Sequence, residues 1–111
     1  MVHNIHMSKY KLIFTVPSTH ADATRKAIGE AGAGKLGNYS FCSFTTKGIG
    51  RFKPEEGARP TIGEVGKMEE LEEEKVECQC DEVVVDDVLA ALRKSHPYEE
   101  IAYDLWKLED R

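Results

Sequence analysis

Apolar side chains recur along this chain with two different periods, and the changes of period divide it into elements. Tyr10 to Val16 (YKLIFTV) is rich in β-branched and aromatic residues and ends at Pro17, which cannot continue a central ladder, so a first strand is predicted there. The period then lengthens. Ala21, Thr24, Ile28 and Ala31 fall on one helical face, Ser18 or Thr19 is available as an N-cap, and Asp22 lies in the first turn. The spacing predicts a helix from about Thr19 to Ala31, with the glycines of A-G-A-G as its C-cap and Lys35 to Asn38 as a tight connection. Tyr39 to Thr46 (YSFCSFTT) has strand composition, and K-G-I-G-R-F after it is expected to turn this second strand back into a third. From Phe52 to Gly66, Pro54, Pro60 and three glycines stand among polar residues, which suits an excursion across the surface. Met68 to Cys80 is ambiguous, because its glutamates favour helix while Leu71, Val76, Cys78 and Cys80 lean towards strand; about Leu71 to Cys80 is read as strand. Val85, Val88, Leu89 and Leu92 then repeat at helical spacing, with Asp86 and Asp87 early and Arg93 and Lys94 late, and this second helix stops before His96-Pro97. Ile101 to Leu108 reads as a closing strand.

The order β, α, β, β, α, β is that of an α+β, ferredoxin-like sandwich: an antiparallel sheet with both helices on one face. The strands carry apolar side chains on both faces, since Leu12 and Phe14 alternate with Ile13, Phe41 with Phe44, and Leu105 with Trp106. The second face therefore needs a cover. A further copy of the chain would supply one and make a homo-oligomer; the alternative is a monomer whose 52–68 excursion folds over that face. Met1 to Ser8 is polar and patternless and reads as an extension ahead of a single domain over 9–111.

Charge narrows the partners. The chain has 111 residues, 20 acidic against 15 basic, and a formal net charge of -5, with no basic stripe. Nucleic acid and anionic membrane are thereby disfavoured as main partners, because phosphate binding rests on clustered Lys and Arg. No apolar run approaches the ~20 residues of a membrane span, and the first ten residues hold no signal-type segment, so a cytoplasmic protein is expected. Cys78 and Cys80 are too close for a usual disulfide or a C-x-x-C site, and Cys42 completes an odd number, so reduced thiols are expected.

The densest chemistry is H-P-Y-E-E, His96 to Glu100. One reading makes His96, Glu99 and Glu100 ligands of a divalent metal ion or a proton-exchanging group. The other makes His96 the partner of the last helical carbonyls, Pro97 the stop, and the glutamates solvated. The A-G-A-G-K-L-G-N-Y segment has the glycine content of a phosphate loop, but its glycines follow a helix instead of opening one, so a turn-and-packing role is favoured over an anion nest. Cys42 is read as a small core residue in mid-strand, and Cys78 and Cys80 as thiols sharing one strand face. The acidic run Glu69 to Glu77 is read as a solvated face. No nucleophile, cofactor motif or oxyanion device accompanies His96, so catalysis is not expected.

Three motifs together resemble a known family: A-G-A-G-K-L-G-N-Y-S-F-C-S-F at 31–44, G-x-G-x-F-x-P-x-E-G-A-x-P-x-I-G at 48–63, and H-P-Y-E-E-I-A-Y-D at 96–104. They are similar to the domain inserted in the Nif-type, NGG-interacting-factor dinuclear metal proteins, which also occurs as a free-standing small protein. The resemblance implies a CutA/PII-like fold and, with it, a trimer. Full-length members hold two metals in flanking halves, and some carry a GTP-cyclohydrolase-like description. No residue of this chain matches those ligands, so neither a metal centre nor a hydrolase activity carries over. What matches is the insert's own signature, including Gly34, Gly37, Asn38, Tyr39, Cys42, His96, Tyr98, Glu99 and Glu100, expected to shape an interface or a ligand cleft between subunits. The implied role is a non-enzymatic, oligomeric sensing, ligand-binding or regulatory module with a small-molecule or protein partner. The alternative is a CutA-like protein binding a divalent metal through H-P-Y-E-E.

Overall fold

Alternation in Y-K-L-I-F-T-V-P sends Leu12, Phe14 and Val16 to one side of a strand. The computed structural model, which describes residues 8–111, builds β1 from Lys9–Pro17 with those three side chains 0–1% exposed. The expected extension, apart from Ser8, lies outside the described residues, as do His3 and His6. Helix α1, Ser18–Glu30, follows directly and buries Ala21, Thr24 and Ile28. Neither Ser18 nor Thr19 caps it. Pro17, at φ -53°, occupies the N-cap position, so the helix starts before the capping side chains, and Asp22 pairs instead with Arg25 at 2.5 Å. At the other end Ala33 N–H donates to the Ile28 carbonyl and Gly32 N–H to that of Gly29, with Gly32 at φ 113°: a Schellman stop that only glycine enters without strain.

Strand β2 departs from the sequence expectation. It spans Phe44–Phe52 and runs straight through Gly48 and Gly50, while Tyr39–Ser43 is irregular. Neither glycine makes a turn, and Gly50 marks a close approach: a β-carbon there would meet the Glu73 carboxylate, whereas Gly48 has open space beside it. The chain returns from β2 to β3 only through residues 53–68, while the tight connection expected at Lys35 to Asn38 is a turn in which Leu36 and Tyr39 exchange two backbone hydrogen bonds of 2.9 Å around Gly37-Asn38, with Gly37 at φ 56°. Phe41 is likewise not a strand residue; its φ is 60° and its ring packs over Gly29.

Residues 53–68 cross the surface as irregular chain, as expected, before β3, Glu69–Asp81. A short 3₁₀ turn, Glu82–Val84, leads into α2, Val85–Ser95, with Asp86 and Asp87 in its first turn and Arg93 and Lys94 in its last. Strand β4, Tyr103–Lys107, closes the fold. The sheet order is β2-β3-β1-β4 with every neighbouring pair antiparallel. The β2–β3 pairing continues from Ile49↔Glu72 to Phe52↔Glu69, past the Pro17↔Glu73 rung where β1 ends, so this hairpin overhangs the sheet. Leu108 N–H donates to the Lys9 carbonyl at 2.8 Å, tying the two ends of the fold together.

The core lies between the sheet and both helices: Leu12, Phe14, Val16, Ile28, Val76, Cys78, Cys80, Val88 and Leu92 are all 0–5% exposed. On the second face Ile13 and the exposed Phe44 and Trp106 alternate with Lys11, Lys75, Glu77 and Asp104, and Lys11 pairs with Glu77 at 3.6 Å. That face is thus half polar, and the 53–63 segment covers its Thr15–Glu73 end. Among the described residues no helix is long and apolar enough to cross a membrane.

Candidate functional site

Pro97 ends α2 by forcing His96 into extended backbone at φ -84°, ψ 138°, and this drives the imidazole inward instead of along the helix axis. His96 is 6% exposed. One ring nitrogen, Nδ1, accepts the Tyr98 N–H at 3.1 Å, which leaves Nε2 to donate to the Thr15 carbonyl at 2.7 Å. The imidazole is therefore a neutral strut between β1 and the chain reversal. Burial pushes its pKa below the ordinary histidine value, outweighing the Thr15 carbonyl and the Glu73 carboxylate, which favour protonation. Because the folded-state value is the lower one, the unfolded chain takes up the proton first as pH falls. Stability contributed by the neutral ring is complete above about pH 6.5 and is lost as pH drops through the folded-state value. Urea midpoints at pH 7.5 and 5.5 should show a larger acid loss for the wild type than for His96→Gln; equal losses would show that the ring does not titrate on unfolding.

Beyond this strut, the reversal and the 53–63 segment wall a half-open cavity. Arg59 N–H donates to Glu99 Oε1 at 2.7 Å and Thr61 Oγ1 to the Pro97 carbonyl at 2.8 Å. Between these ties and the β2–β3 hairpin lies a space of about 470 Å³, within the range of small-molecule sites. Its walls are mostly apolar, from Phe52, Pro54, Ala58, Pro60 and Ile62, with Tyr98 edge-on to Phe52 at 5.6 Å between ring centroids. Glu73, 7% exposed, also lines it and accepts the Tyr98 hydroxyl on Oε2 at 3.0 Å. Burial and then that carboxylate raise the Tyr98 phenol above its ordinary pKa, so it remains a donor at neutral pH.

The structure gathers Tyr98, Glu99 and Glu100 in the wall of this cavity, sets His96 behind it against the Tyr98 N–H, and places the glycine-rich candidates elsewhere. Gly34 N–H donates to the Gln79 carbonyl at 2.7 Å and its own carbonyl accepts Cys42 N–H at 2.9 Å. Gln79 and Glu73 stand about 20 Å apart along β3 at ~3.3 Å per residue, so within one chain the two groups do not meet. At Gly34, φ 83°, a β-carbon would come to 2.6 Å of the Cys42 nitrogen, which explains the glycine as packing. Gly37, Asn38 and Tyr39 form the exposed turn. Cys42 precedes β2 instead of sitting within a strand; with Cys78 it borders a small recess of about 190 Å³. Cys78 and Cys80 do share the helix-side face as buried free thiols, and the hydrogen bond with Cys80, then burial, raise the Cys78 thiol above its usual pKa. Among the described residues no group of three His, Cys, Asp or Glu side chains is placed to hold a metal ion.

The acidic run is not wholly solvated, as it was expected to be: Glu73 and Glu74 are 7% and 6% exposed. Strand period alone puts Glu74 in phase with Val76, Cys78 and Cys80, a signal available in the sequence. Glu73 carries no such signal, because its burial depends on the 53–63 segment folding across it.

No family model matches the chain. Curated relatives do: a protein of Halalkalibacterium halodurans described as "GTP cyclohydrolase 1 type 2 homolog" is 55% identical over 101 residues, 91% of this chain and 27% of its own length. A Bacillus subtilis protein of the same description is 48% identical over 99 residues, 89% of this chain and 26% of its own. The chain thus spans about a quarter of the length of the curated relatives it matches. Among solved structures, a Bacillus cereus protein related to NIF3 superposes with a TM-score of 0.80 at 40% identity, over 94% of this chain and 26% of that one. The periplasmic divalent cation tolerance protein CutA of Archaeoglobus fulgidus superposes with a TM-score of 0.67 at 17% identity, over 93% of this chain and 86% of that one. The chain is therefore homologous to the small domain of the NIF3-related proteins and has the ferredoxin-like fold of CutA.

Proposed function

We propose that this domain is a non-enzymatic ligand-binding module and that the cavity beneath the 53–63 segment is its site. The observation that carries this reading is the cavity itself: a mostly apolar, half-open space of about 470 Å³, bridged by the Arg59–Glu99 and Thr61–Pro97 bonds across segments far apart in sequence. Glycine content and the H-P-Y-E-E motif thereby receive separate roles, the first in turns and close packing, the second in the cavity wall. The names of the longer relatives suggest a hydrolase, but catalysis needs a nucleophile or base poised at a reacting atom, and His96 is occupied at both nitrogens. The same occupancy weighs against a divalent-metal role of the kind named for the CutA proteins, since His96 would have to release a backbone partner to join Glu99 or Glu100. Amide chemical shifts recorded against a fragment library test the reading. Perturbations should cluster at Phe52, Ile62, Tyr98 and Ala102; hits confined to the Gly34–Cys42 end would overturn it.

The module is also proposed to act as a homo-oligomer, with three copies as the expected number. Support comes from Phe44 and Trp106, 69% and 45% exposed on the half-polar second face, and from β2, an edge strand that among the described residues pairs with β3 alone. Sedimentation equilibrium at tens of micromolar should give a mass about three times that of the chain; a monomer would remove this part of the proposal.

A further inference from the structure

Glu73 is the feature that the role of a plain apolar pocket leaves unexplained. Desolvating a carboxylate costs several kcal/mol unless it is well paired, and folds seldom retain one without a partner cation. Among the described residues the only hydrogen bond to the carboxylate comes from the Tyr98 hydroxyl, on Oε2, and no cation is within ion-pair distance of it. Its other oxygen, Oε1, lies where a β-carbon on Gly50 would be, and Gly50 and Glu73 both border the cavity. Glycine at 50 is therefore what allows the carboxylate to occupy this position.

The two cations in the cavity lining, Arg51 and Lys53, are already matched. Arg51 Nε pairs with Glu70 at 3.1 Å and Lys53 Nζ with Glu55 at 3.7 Å. Glu99 is tied to the Arg59 N–H, and Glu100 stands at the mouth. Once these pairs are set aside, the cavity presents an excess of negative charge at one end and aromatic and proline surfaces around it. Phe52 and Tyr98 also offer ring faces, which attract cations.

We infer that the cavity takes a small organic cation, a primary ammonium or guanidinium on an apolar or aromatic body, with the cationic head on Glu73 and the body against Phe52, Pro54, Pro60 and Ile62. This rests on the cavity being the ligand site, and it adds the class of ligand. A protonated amine would supply the missing partner for Oε1, and Tyr98 would keep the carboxylate oriented through Oε2. A neutral ligand would leave the buried charge as it is, and an anion would face it directly.

The test compares three matched pairs of probes by isothermal titration calorimetry: phenethylamine and hexylamine as cations; 2-phenylethanol and hexanol as neutral probes; 3-phenylpropanoate and hexanoate as anions. The wild type should bind at least one cation at least tenfold more tightly than its neutral counterpart and bind no anion. Glu73→Gln, which keeps an acceptor for Tyr98, should lose that tenfold preference, whereas Glu100→Gln should retain most of it. A second readout needs no ligand: relieved of an unpaired buried charge, Glu73→Gln should unfold at higher urea than the wild type at pH 7. Equal binding of neutral and cationic probes, or a preference unchanged in a folded Glu73→Gln, would overturn the ligand class while leaving the cavity as a site. Failure of every probe to bind at millimolar concentration would overturn both.

Discussion

Replacing Phe14 by alanine should lower the stability of the domain by about 3–5 kcal/mol, a large part of the roughly 5–15 kcal/mol that holds such a domain folded. Phe14 is 1% exposed and heads the fully buried side chains by volume. It stands on β1, between Val76 of β3 and Tyr103 of β4 in register, beneath both helices. Its loss removes apolar transfer energy and leaves a cavity walled by strands on two sides, which cannot close up without breaking ladder hydrogen bonds. Urea unfolding followed by circular dichroism should show the midpoint falling with little change in slope. A loss under about 1 kcal/mol would mean that the layer between sheet and helices is far more loosely packed than the burial indicates.

Arg25→Met should cost about 3 kcal/mol, through the charge it leaves behind more than through the contact it removes. Arg25 reaches from α1 to Glu74 at 2.7 Å, to Thr45 of β2 at 3.2 Å and to Asp22 at 2.5 Å, and so pins the helix to two strands. The guanidinium hydrogen bond holds the Glu74 carboxyl below its ordinary pKa even though burial pushes the other way. A depressed folded-state pKa contributes stability above the unfolded value, near pH 4.5, and that stability is lost as pH falls through the folded value. In Arg25→Met burial would be opposed only by the weaker influences of the Ser18 hydroxyl and the Lys47 charge, so the Glu74 pKa would rise and the variant's deficit should be largest near neutral pH and shrink in acid. The double variant Arg25→Met, Glu74→Met should recover most of the loss. A deficit of similar size at pH 7 and pH 4, with no recovery in the double variant, would show that the ion pair is not what anchors the helix.

Much of the architecture was legible because burial and period coincide. Leu12, Phe14 and Val16 on β1, and Val85, Val88 and Leu92 on α2, have only one face to offer, and the element order followed from them. The boundaries of β2 were not legible. Y-S-F-C-S-F has strand composition, but the chain there is held by Gly34 and by the Phe41 ring over Gly29, contacts with residues far along the chain. Gly48 and Gly50 read as a reversal because local sequence cannot distinguish a glycine needed for φ from one, such as Gly50, needed for space. The same limit governed the site. H-P-Y-E-E was visible as dense chemistry, and Tyr98, Glu99 and Glu100 do line the cavity. Glu73 looked like one glutamate among many, because what buries it is a segment with no periodicity of its own.

The hydrogen bond between Leu108 and Lys9 has a consequence for how this unit can be carried. The chain enters and leaves the fold on adjacent strands, a backbone hydrogen bond apart, at the end of the sheet remote from the cavity. A host protein could accept the whole domain within a single loop by parting that loop only a few ångströms, without stretching its own scaffold. The host's folding would then pay little extra loop-closure entropy once the guest had folded, because the guest itself holds the two ends together. That geometry accounts for how the same unit can match about a quarter of a much longer polypeptide without the rest of that polypeptide having to be rebuilt around it.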